Sequence, residues 1–389
     1  MKAIFRGLLK TLLGLGALIV LGAFAAPYVL DRAYYTGPKT NHFDGQSFFN
    51  PDGDDALRPA PGHSRAALIW GFLTRRGQPA WPDHVSVATS KPPLRVKGDR
   101  LVATWVGHAT VLIQTEGLNI LTDPNWSATT GPFGIGPLRA AEPGVRFDDL
   151  PPIDIVLISH NHYDHLDVPT LRRLQIRDHP RVFTGLGNDN LLARDGITAQ
   201  ALDWRQRVAV KPGVEIISTR NHHWGGRWGY DAKRALWTAF VIKTPHGNVF
   251  FAGDTGAGDM KWPAEARSFG PIRLALIPIG AFRFTPGQMA NGSHIGPVDA
   301  VRVFETLGAQ QAIAIHWGTF RLSSEGYDTP PKMLSAVMTC HGLTPARFSA
   351  VRVGAMTEVS VSAPEVPLAS APKPDVTRCL AQPQVTALR

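Results

Sequence analysis

From Leu101 onward the chain alternates short apolar runs with polar or glycine-containing breaks, a spacing that predicts strands joined by tight turns. Strands are expected over Leu101–Val106, Thr110–Thr115 and Leu118–Thr122, separated by Gly107-His108 and Glu116-Gly117 and closed by Asp123-Pro124. A Gly/Pro-rich loop follows over residues 126–148, long enough to serve as a lid or binding loop. The run Ile153–Ile158 reads as a buried strand, and an amphipathic helix is expected near Val168–Ile176, then a short run at Val182-Phe183. Further on, Val214–Thr219 reads as a strand, and Leu236–Thr244 with Val249–Phe251 reads as a hairpin turning at His246-Gly247. Leu274–Ile279 and Ala312–Ile315 are core strands. Between them, a helix near Pro297–Leu307 sets Val298, Val301, Val303 and Phe304 on broadly one side. Strands dominate each half with helices interspersed, which suggests an α+β sandwich with helices outside.

The two ends differ from this body. Lys2, Arg6 and Lys10 precede an apolar stretch from Thr11 to Leu30. Twenty helical residues span roughly 30 Å, enough to cross a bilayer core. Two readings stay open: an uncleaved membrane anchor, or a signal peptide cut after the small-x-small Ala23-Phe24-Ala25. In either case the positive flank stays cytoplasmic and the body is placed on the periplasmic or extracytoplasmic side, membrane-anchored or secreted. Residues 31–100 are rich in Pro, Gly and aromatics, with a short helix near Ala66–Leu73. They read as an irregular wrap without chemistry, in which His42, His63 and His84 are solvated. The main domain is expected over residues 101–360, and from about residue 361 the Pro/Ala-rich sequence reads as a loose tail.

Composition adds limits. With 389 residues, 44% hydrophobic and 18% charged, the chain has ample material for a large core. The 40 Lys and Arg against 31 Asp and Glu give +9, which suits an anionic partner such as a phosphate or a lipid headgroup. The basic residues are scattered and no nucleic-acid motif occurs, so nucleic acid is not expected as a partner. Two cysteines, Cys340 and Cys379, do not make a disulfide framework; in an oxidising compartment they can pair and staple the tail.

The chemistry concentrates in Ser159-His160-Asn161-His162-Tyr163-Asp164-His165, directly after the Ile153–Ile158 strand. Sites in α/β folds sit at the carboxyl ends of strands. His160 and His162 project to one side and can bind one ion, while Asp164 and His165, past the turn, can reach a second. Imidazole and carboxylate ligands without thiolate suit Zn²⁺, with Fe²⁺ or Mn²⁺ as alternatives. Three later strands also end in ligand types: His222-His223 after Ile216–Thr219, Asp254 after Phe250-Phe251, and His316 after Ala312–Ile315. Each alone has a structural explanation, Asp254 as a turn former and His316 as a core histidine. Together with the four-ligand motif they point to a two-metal site.

These words resemble the metallo-β-lactamase superfamily, and within it the N-acylphosphatidylethanolamine-hydrolysing phospholipase D family. The matching segments run from about Thr104 to Pro331. They include Thr104-Trp-Val-Gly-His-Ala-Thr110, Leu121-Thr-Asp-Pro124, Leu157-Ile-Ser-His-Asn-His-Tyr-Asp-His-Leu-Asp167, His223-Trp224, Phe251-Ala-Gly-Asp-Thr-Gly256 and Ala314-Ile-His-Trp-Gly-Thr-Phe320. The resemblance implies an αββα sandwich with two Zn²⁺ per chain. It implies His160, His162 and His223 on one ion, Asp164, His165 and His316 on the other, and Asp254 between them. His223 is preferred to His222 because it directly precedes Trp224. His294 resembles an active-site histidine that is not a ligand but contacts phosphate or moves a proton, with a helix-flanking surface histidine as the bland alternative. His108 and Asp123 resemble partners that orient ligands. The implied reaction is hydrolysis of N-acylphosphatidylethanolamine-like phospholipids to phosphatidic acid and an N-acylethanolamine by water activated between the metals, with Asp164, Asp254 and His294 as the catalytic group. Phe133, Ile135, Phe282 and Phe284 either admit acyl chains or are ordinary core. A membrane surface is the expected partner and a homodimer is left open. The segment Phe282–Asn291 and the N-terminal apolar stretch have no match in the family pattern. The rival readings are another hydrolase of this superfamily (a lactonase, a β-lactamase or a broad phosphodiesterase) and a non-catalytic zinc-binding scaffold.

Overall fold

The structure, a computed structural model, describes residues 2–30, 32–53, 78–361 and 375–389, together with Ser64, Trp70, Gly71, Thr74 and Arg75. Most of the short helix expected at Ala66–Leu73, and His63, lie outside the described residues.

Two seven-stranded sheets form the body. The first holds β1 (Leu101–Gly107), β2 (Thr110–Thr115), β3 (Leu118–Thr122), β4 (Ile155–Ile158), β5 (Arg181–Gly185) and β6 (Ala199–Leu202) in sequence order, with β14 (Met356–Val359) beside β1. The second holds β7 (Arg207–Lys211), β8 (Val214–Thr219), β9 (Ala239–Lys243), β10 (Asn248–Phe251), β11 (Ile272–Pro278), β12 (Gln311–Ile315) and β13 (Phe348–Ser349), again in order. Each half begins as an antiparallel meander, β1–β3 or β7–β10, and continues as parallel strands, β3–β6 or β10–β13.

That pairing has a direct consequence for the site. Two antiparallel steps restore direction, so β1 runs parallel to β3 and β4, and β8 runs parallel to β10 and β12. Within each sheet the carboxyl ends of these strands therefore share one edge.

Strand residues alternate between two apolar faces, as a sheet covered on both sides requires. In β4, Ile155 and Leu157 point into the inter-sheet core, whereas Val156 and Ile158 point outwards. In β11, Leu274 and Leu276 point inwards while Ala275 and Ile277 point outwards. The outer face of the first sheet is covered by α2 (Val168–Asp178), through Leu171 and Leu174, and by α3 (Asn188–Ala193). The outer face of the second is covered by α4 (Trp262–Arg267), α5 (Pro297–Leu307) and α6 (Thr329–Cys340), which contribute Trp262, Val298, Val301, Phe304, Leu334 and Val337. This is the αββα sandwich. A further helix, α1 (Lys2–Leu30), precedes it and contains an 18-residue apolar window, Phe5–Gly22, long enough to cross a membrane.

The ends depart from their sequence readings. His42, expected in solvent, is buried: its Nε2 lies 2.8 Å from Asp203 Oδ1 and its ring stacks on Trp204 at 4.5 Å. Phe43 and Phe48 pack with Leu236 and Trp237, and Asp52 binds His222, so residues 42–52 form a strap fastened to the sandwich rather than a loose wrap. His84 is exposed as expected. Residues 375–389 are not a loose tail. Val376, Cys379 and Val385 are buried in the helical layer of the second sheet, and Cys379 is joined to Cys340 of α6. The rest of that proposed tail, residues 362–374, lies outside the described residues.

Candidate metal centre

Six strand ends meet at one place. β1 delivers His108, β3 delivers Asp123, β4 delivers Ser159 and His160, β8 leads to His222-His223, β10 to Asp254 and β12 to His316. His108, Asp123 and His316 hold φ of 52°, 32° and 62°. A left-handed backbone at a residue other than glycine costs about 1–3 kcal/mol, a strain that concentrates at functional sites. Gly253 sets Asp254 in place: its φ is 60°, and an added Cβ would lie 2.5 Å from the Ser159 Cβ. Only glycine lets β10 turn this close to β4.

The side chains form two adjoining clusters. His160, His162 and His223 bring their ring nitrogens together, with His160 Nε2 at 2.8 Å and His223 Nε2 at 3.4 Å from His162 Nδ1. Asp164, His165, His316 and His108 form the second group. Asp164 Oδ2 lies 3.3 Å from His165 Nε2, 3.5 Å from His316 Nε2 and 2.9 Å from His108 Nε2. Asp254 stands between them. Its Oδ2 is 3.0 Å from both His165 Nε2 and His316 Nε2, and 4.0 Å and 3.9 Å from His160 Nε2 and His223 Nε2. All seven residues expected as ligands are thus gathered around one carboxylate. His294 joins them, with Nδ1 3.8 Å from Asp254 Oδ2. Its side chain is 14% exposed, against 0–1% for His160, His165, His223 and His316, so it is reached by solvent where those four are not; His162 is also partly exposed.

Around the clusters lie groups that orient them. Asp123 is fully buried and accepts from the Ser159 amide at 2.7 Å, from Ser159 Oγ at 2.5 Å and from His165 Nδ1 at 2.6 Å. Ser159 Oγ also meets His160 Nδ1 at 2.9 Å, and the Ser293 carbonyl meets His223 Nδ1 at 2.9 Å. His222 turns away, its Nδ1 3.1 Å from the Asp52 carboxylate on the N-terminal strap. Asn50 of the same strap donates to the His223 carbonyl at 2.9 Å and accepts from Trp237 Nε1 at 3.1 Å. Sequence reading missed Ser159, Asn50 and Asp52. Ser159 carried a signal, since it sits between the strand and the first ligand. The two strap residues lie more than a hundred positions from the site residues they touch and carried none. The candidate acyl-chain residues divide: Phe282 is buried core, while Phe133 and Ile135 stand out in solvent.

The donor set fits a pair of divalent cations. Buried polar atoms normally have partners, yet His162 Nε2, His165 Nε2, His316 Nδ1 and Nε2, His294 Nδ1 and Asp254 Oδ1 have no hydrogen bond. Five imidazoles and two carboxylates without thiolate make a site for borderline or hard divalent ions.

The electrostatics agree. Burial pushes His162 down to about 4 and, with the neighbouring His165, holds His160 well below its ordinary value; burial likewise lowers His223. These three imidazoles are neutral and offer lone pairs. Burial also opposes charge on His165 and His316, but the Asp254 and Asp164 carboxylates outweigh it, raising His165 well above its ordinary value and His316 to about 9. Burial works against ionised Asp254 and Asp164 too, and the imidazoliums beside them hold both well below the carboxylate range. A cation bound here takes the place of those protons.

The two-sheet sandwich and the His/Asp cluster at one edge define a metal-dependent hydrolase of the metallo-β-lactamase class, and the comparisons agree: residues 118–317 match the β-lactamase superfamily domain, and the chain belongs to that superfamily. Its relatives narrow the branch. It is 34% identical over 274 residues to "N-acyl-phosphatidylethanolamine-hydrolyzing phospholipase D 1" of Caenorhabditis elegans, covering 67% of this chain and 76% of that one. It is 33% identical to "N-acyl-phosphatidylethanolamine-hydrolyzing phospholipase D, mitochondrial" of Saccharomyces cerevisiae, covering 59% of this chain and 50% of that one. Among solved structures the fold is shared with Igni18, a metallo hydrolase of Ignicoccus hospitalis, at a TM-score of 0.52 and 19% identity, covering 68% of this chain and 100% of that one.

Proposed function

We propose that this protein is a zinc-dependent phosphodiester hydrolase of phospholipase D type, cleaving N-acylphosphatidylethanolamine-like lipids to N-acylethanolamine and phosphatidic acid. The observation that carries the reading is the gathering of five imidazoles around Asp254 and Asp164, in a chain 34% identical to a phospholipase D relative over 67% of its length. His160, His162 and His223 would hold one cation and Asp164, His165 and His316 the other, with Asp254 placed to contribute to either. Two divalent cations so held supply Lewis acidity at a phosphoryl oxygen and make water a nucleophile near neutral pH.

The chain's own residues do the rest. Asp123 and Ser159 fix the rings of His165 and His160, so their free nitrogens face the Asp254 carboxylate. His294 reaches toward the opening and hydrogen-bonds the phosphate or hands a proton to the departing ethanolamine oxygen. Water oxygen bonds to phosphorus, the bond from phosphorus to the ethanolamine oxygen breaks, and that oxygen leaves as the alcohol. The α1 helix supports a membrane-anchored or exported protein, and the Cys340–Cys379 bridge supports a body in an oxidising, extracytoplasmic compartment.

The test is a substrate panel with full-length protein in detergent: N-acylphosphatidylethanolamine, bis-p-nitrophenyl phosphate, a homoserine lactone and nitrocefin, with products identified by mass spectrometry. The reading expects phosphatidic acid and N-acylethanolamine as the dominant products. Faster turnover of the lactone or of nitrocefin removes the phospholipase assignment.

A further inference from the structure

We propose that the 129–138 loop, together with Trp228, is a lipid-docking rim, and that the exit of α1 is fastened to this rim so that the metal centre faces the bilayer. The proposal deepens the phospholipid reading and rests on it.

The loop is built rather than slack. Its two arms pair through Thr129 and Leu138, and the Thr130 amide donates to the Pro137 carbonyl at 3.1 Å. Gly131 and Gly136 face each other's arms so closely that an added Cβ on either would lie 1.9–2.0 Å from a backbone oxygen. This loop presents three large apolar side chains to solvent: Phe133, Ile135 and Leu138 are 87%, 75% and 71% exposed. From Trp126 to Leu138 the sequence contains no ionisable residue. Such a tip enters a lipid interface without stripping water from a charge, whereas in water it is an unexplained apolar surface.

A ladder of rings leads from the tip to the metal loop. The Phe133 ring lies 5.7 Å from Trp228, and Trp228 lies 6.3 Å from Tyr163, which sits between ligands His162 and Asp164. Arg227 stacks on Tyr163 at 3.7 Å and donates to the Asn161 and Leu166 carbonyls at 3.0 Å each, fixing the same segment. The rim therefore borders the centre.

The second observation comes from the other end of the chain. Asp231, fully buried, accepts from the Arg227 and Trp228 amides at 3.0 and 2.7 Å through Oδ1. Its Oδ2 accepts from Tyr34 Oη at 2.9 Å. Tyr34 is buried and follows the end of α1 at Leu30 by four residues. Four residues span at most about 14 Å. The apolar helix therefore ends within that distance of Tyr34, whose hydroxyl donates to the Asp231 carboxylate that holds the Arg227 and Trp228 amides. Anchored this way, the rim is the part of the sandwich a bilayer meets first. A second copy of the chain or an acyl chain alone would not need the tether to emerge here.

Depth in the bilayer tests this without turnover. Full-length Ile135→Cys and Leu94→Cys proteins are labelled with an environment-sensitive dye under non-reducing conditions and reconstituted into phosphatidylcholine/phosphatidylglycerol vesicles carrying a nitroxide-labelled lipid. Leu94, also exposed, lies beside Asn119 at the opposite edge of the first sheet and serves as reference. The expected result is at least threefold stronger quenching at position 135 than at 94. Equal quenching overturns the proposal, and so does a position-135 label that is already shielded without vesicles, which would place a second protein copy on the rim. An unquenched position 135 with intact lipid hydrolysis defeats the rim alone. A quenched position 135 with no lipid hydrolysis supports the rim and defeats the substrate reading alone.

Discussion

Asp123→Asn is the sharpest perturbation the geometry allows, because it keeps shape while it removes the carboxylate charge beside His165 and changes the hydrogen-bond sense. Asp123 Oδ1 accepts from the Ser159 amide, while Oδ2 accepts from Ser159 Oγ and His165 Nδ1. An asparagine must place its NH₂ group in one of these positions. Toward His165 it sets donor against donor unless the ring changes tautomer and moves its proton to Nε2, the atom that faces Asp254 at 3.0 Å and is needed for a cation. Flipped the other way, the NH₂ confronts the Ser159 N–H, which cannot turn round. Either orientation leaves one buried donor unsatisfied, a cost of about 1–3 kcal/mol, or about 5- to 150-fold in an equilibrium constant. Loss of a group that orients a metal ligand weakens metal affinity by about 10–100-fold, which falls in the same range. Competition of the purified variant with a zinc chelator should therefore show affinity reduced by about 10–100-fold, with the far-ultraviolet circular dichroism of the wild type. Affinity within twofold of wild type, in a folded variant, refutes the orienting role of Asp123.

Asp254→Asn should abolish hydrolysis and lower zinc content below two per chain while the circular dichroism stays native; an active variant removes Asp254 from the centre. Asn50→Ala, which strips the strap's hold on the His223 carbonyl, should lower metal occupancy by about tenfold or less, whereas a purely structural strap would change thermal stability and leave occupancy alone. Reduction of the Cys340–Cys379 bridge, whose residues are 39 apart, should remove up to about 4 kcal/mol and expose residues 375–389 to proteolysis before the body unfolds; simultaneous loss of both refutes independent docking of that segment. For metal-free protein the pH profile follows from the imidazoles. His108 and His162, pushed down by burial to about 3 and about 4, contribute stability above their unfolded value near 6.5 and lose it as pH falls towards those lower values. His316, raised to about 9 by Asp254 and Asp164 against burial, contributes below 6.5 and loses it as pH rises through 9. Chelator-treated protein should therefore melt highest near pH 6.5, and zinc should flatten the alkaline limb; an alkaline limb unchanged by zinc contradicts the ligand role of His316.

Much of this was legible because the folding signal and the chemical signal share residues. The four apolar residues of β4 must be buried on both faces, and their end puts His160 at a strand terminus. β10 and β12 repeat this with Asp254 and His316. Elements with mixed composition were silent. β7, Arg-Val-Ala-Val-Lys, is an edge strand with only partial burial, so its pattern competes with that of a solvated loop. Helix α6 begins with Thr-Pro-Pro and interleaves Lys332, Ser335 and Thr339 with its buried Met333, Leu334, Val337 and Met338, which blurs the helical period. His42, Asn50 and Asp52 depend on contacts across more than a hundred residues, and a Pro/Gly-rich segment gives no periodicity from which to foresee them. The C-terminal segment was misread for a related reason: three buried residues among fifteen leave a composition that looks loose.

The direct test of the two-metal centre is a crystal structure of zinc-loaded protein with anomalous scattering recorded on both sides of the zinc edge. The account predicts two zinc peaks flanking the Asp254 carboxylate, one among His160, His162 and His223 and the other among Asp164, His165 and His316. A single peak, or peaks that leave either group without metal at saturating zinc, contradicts it.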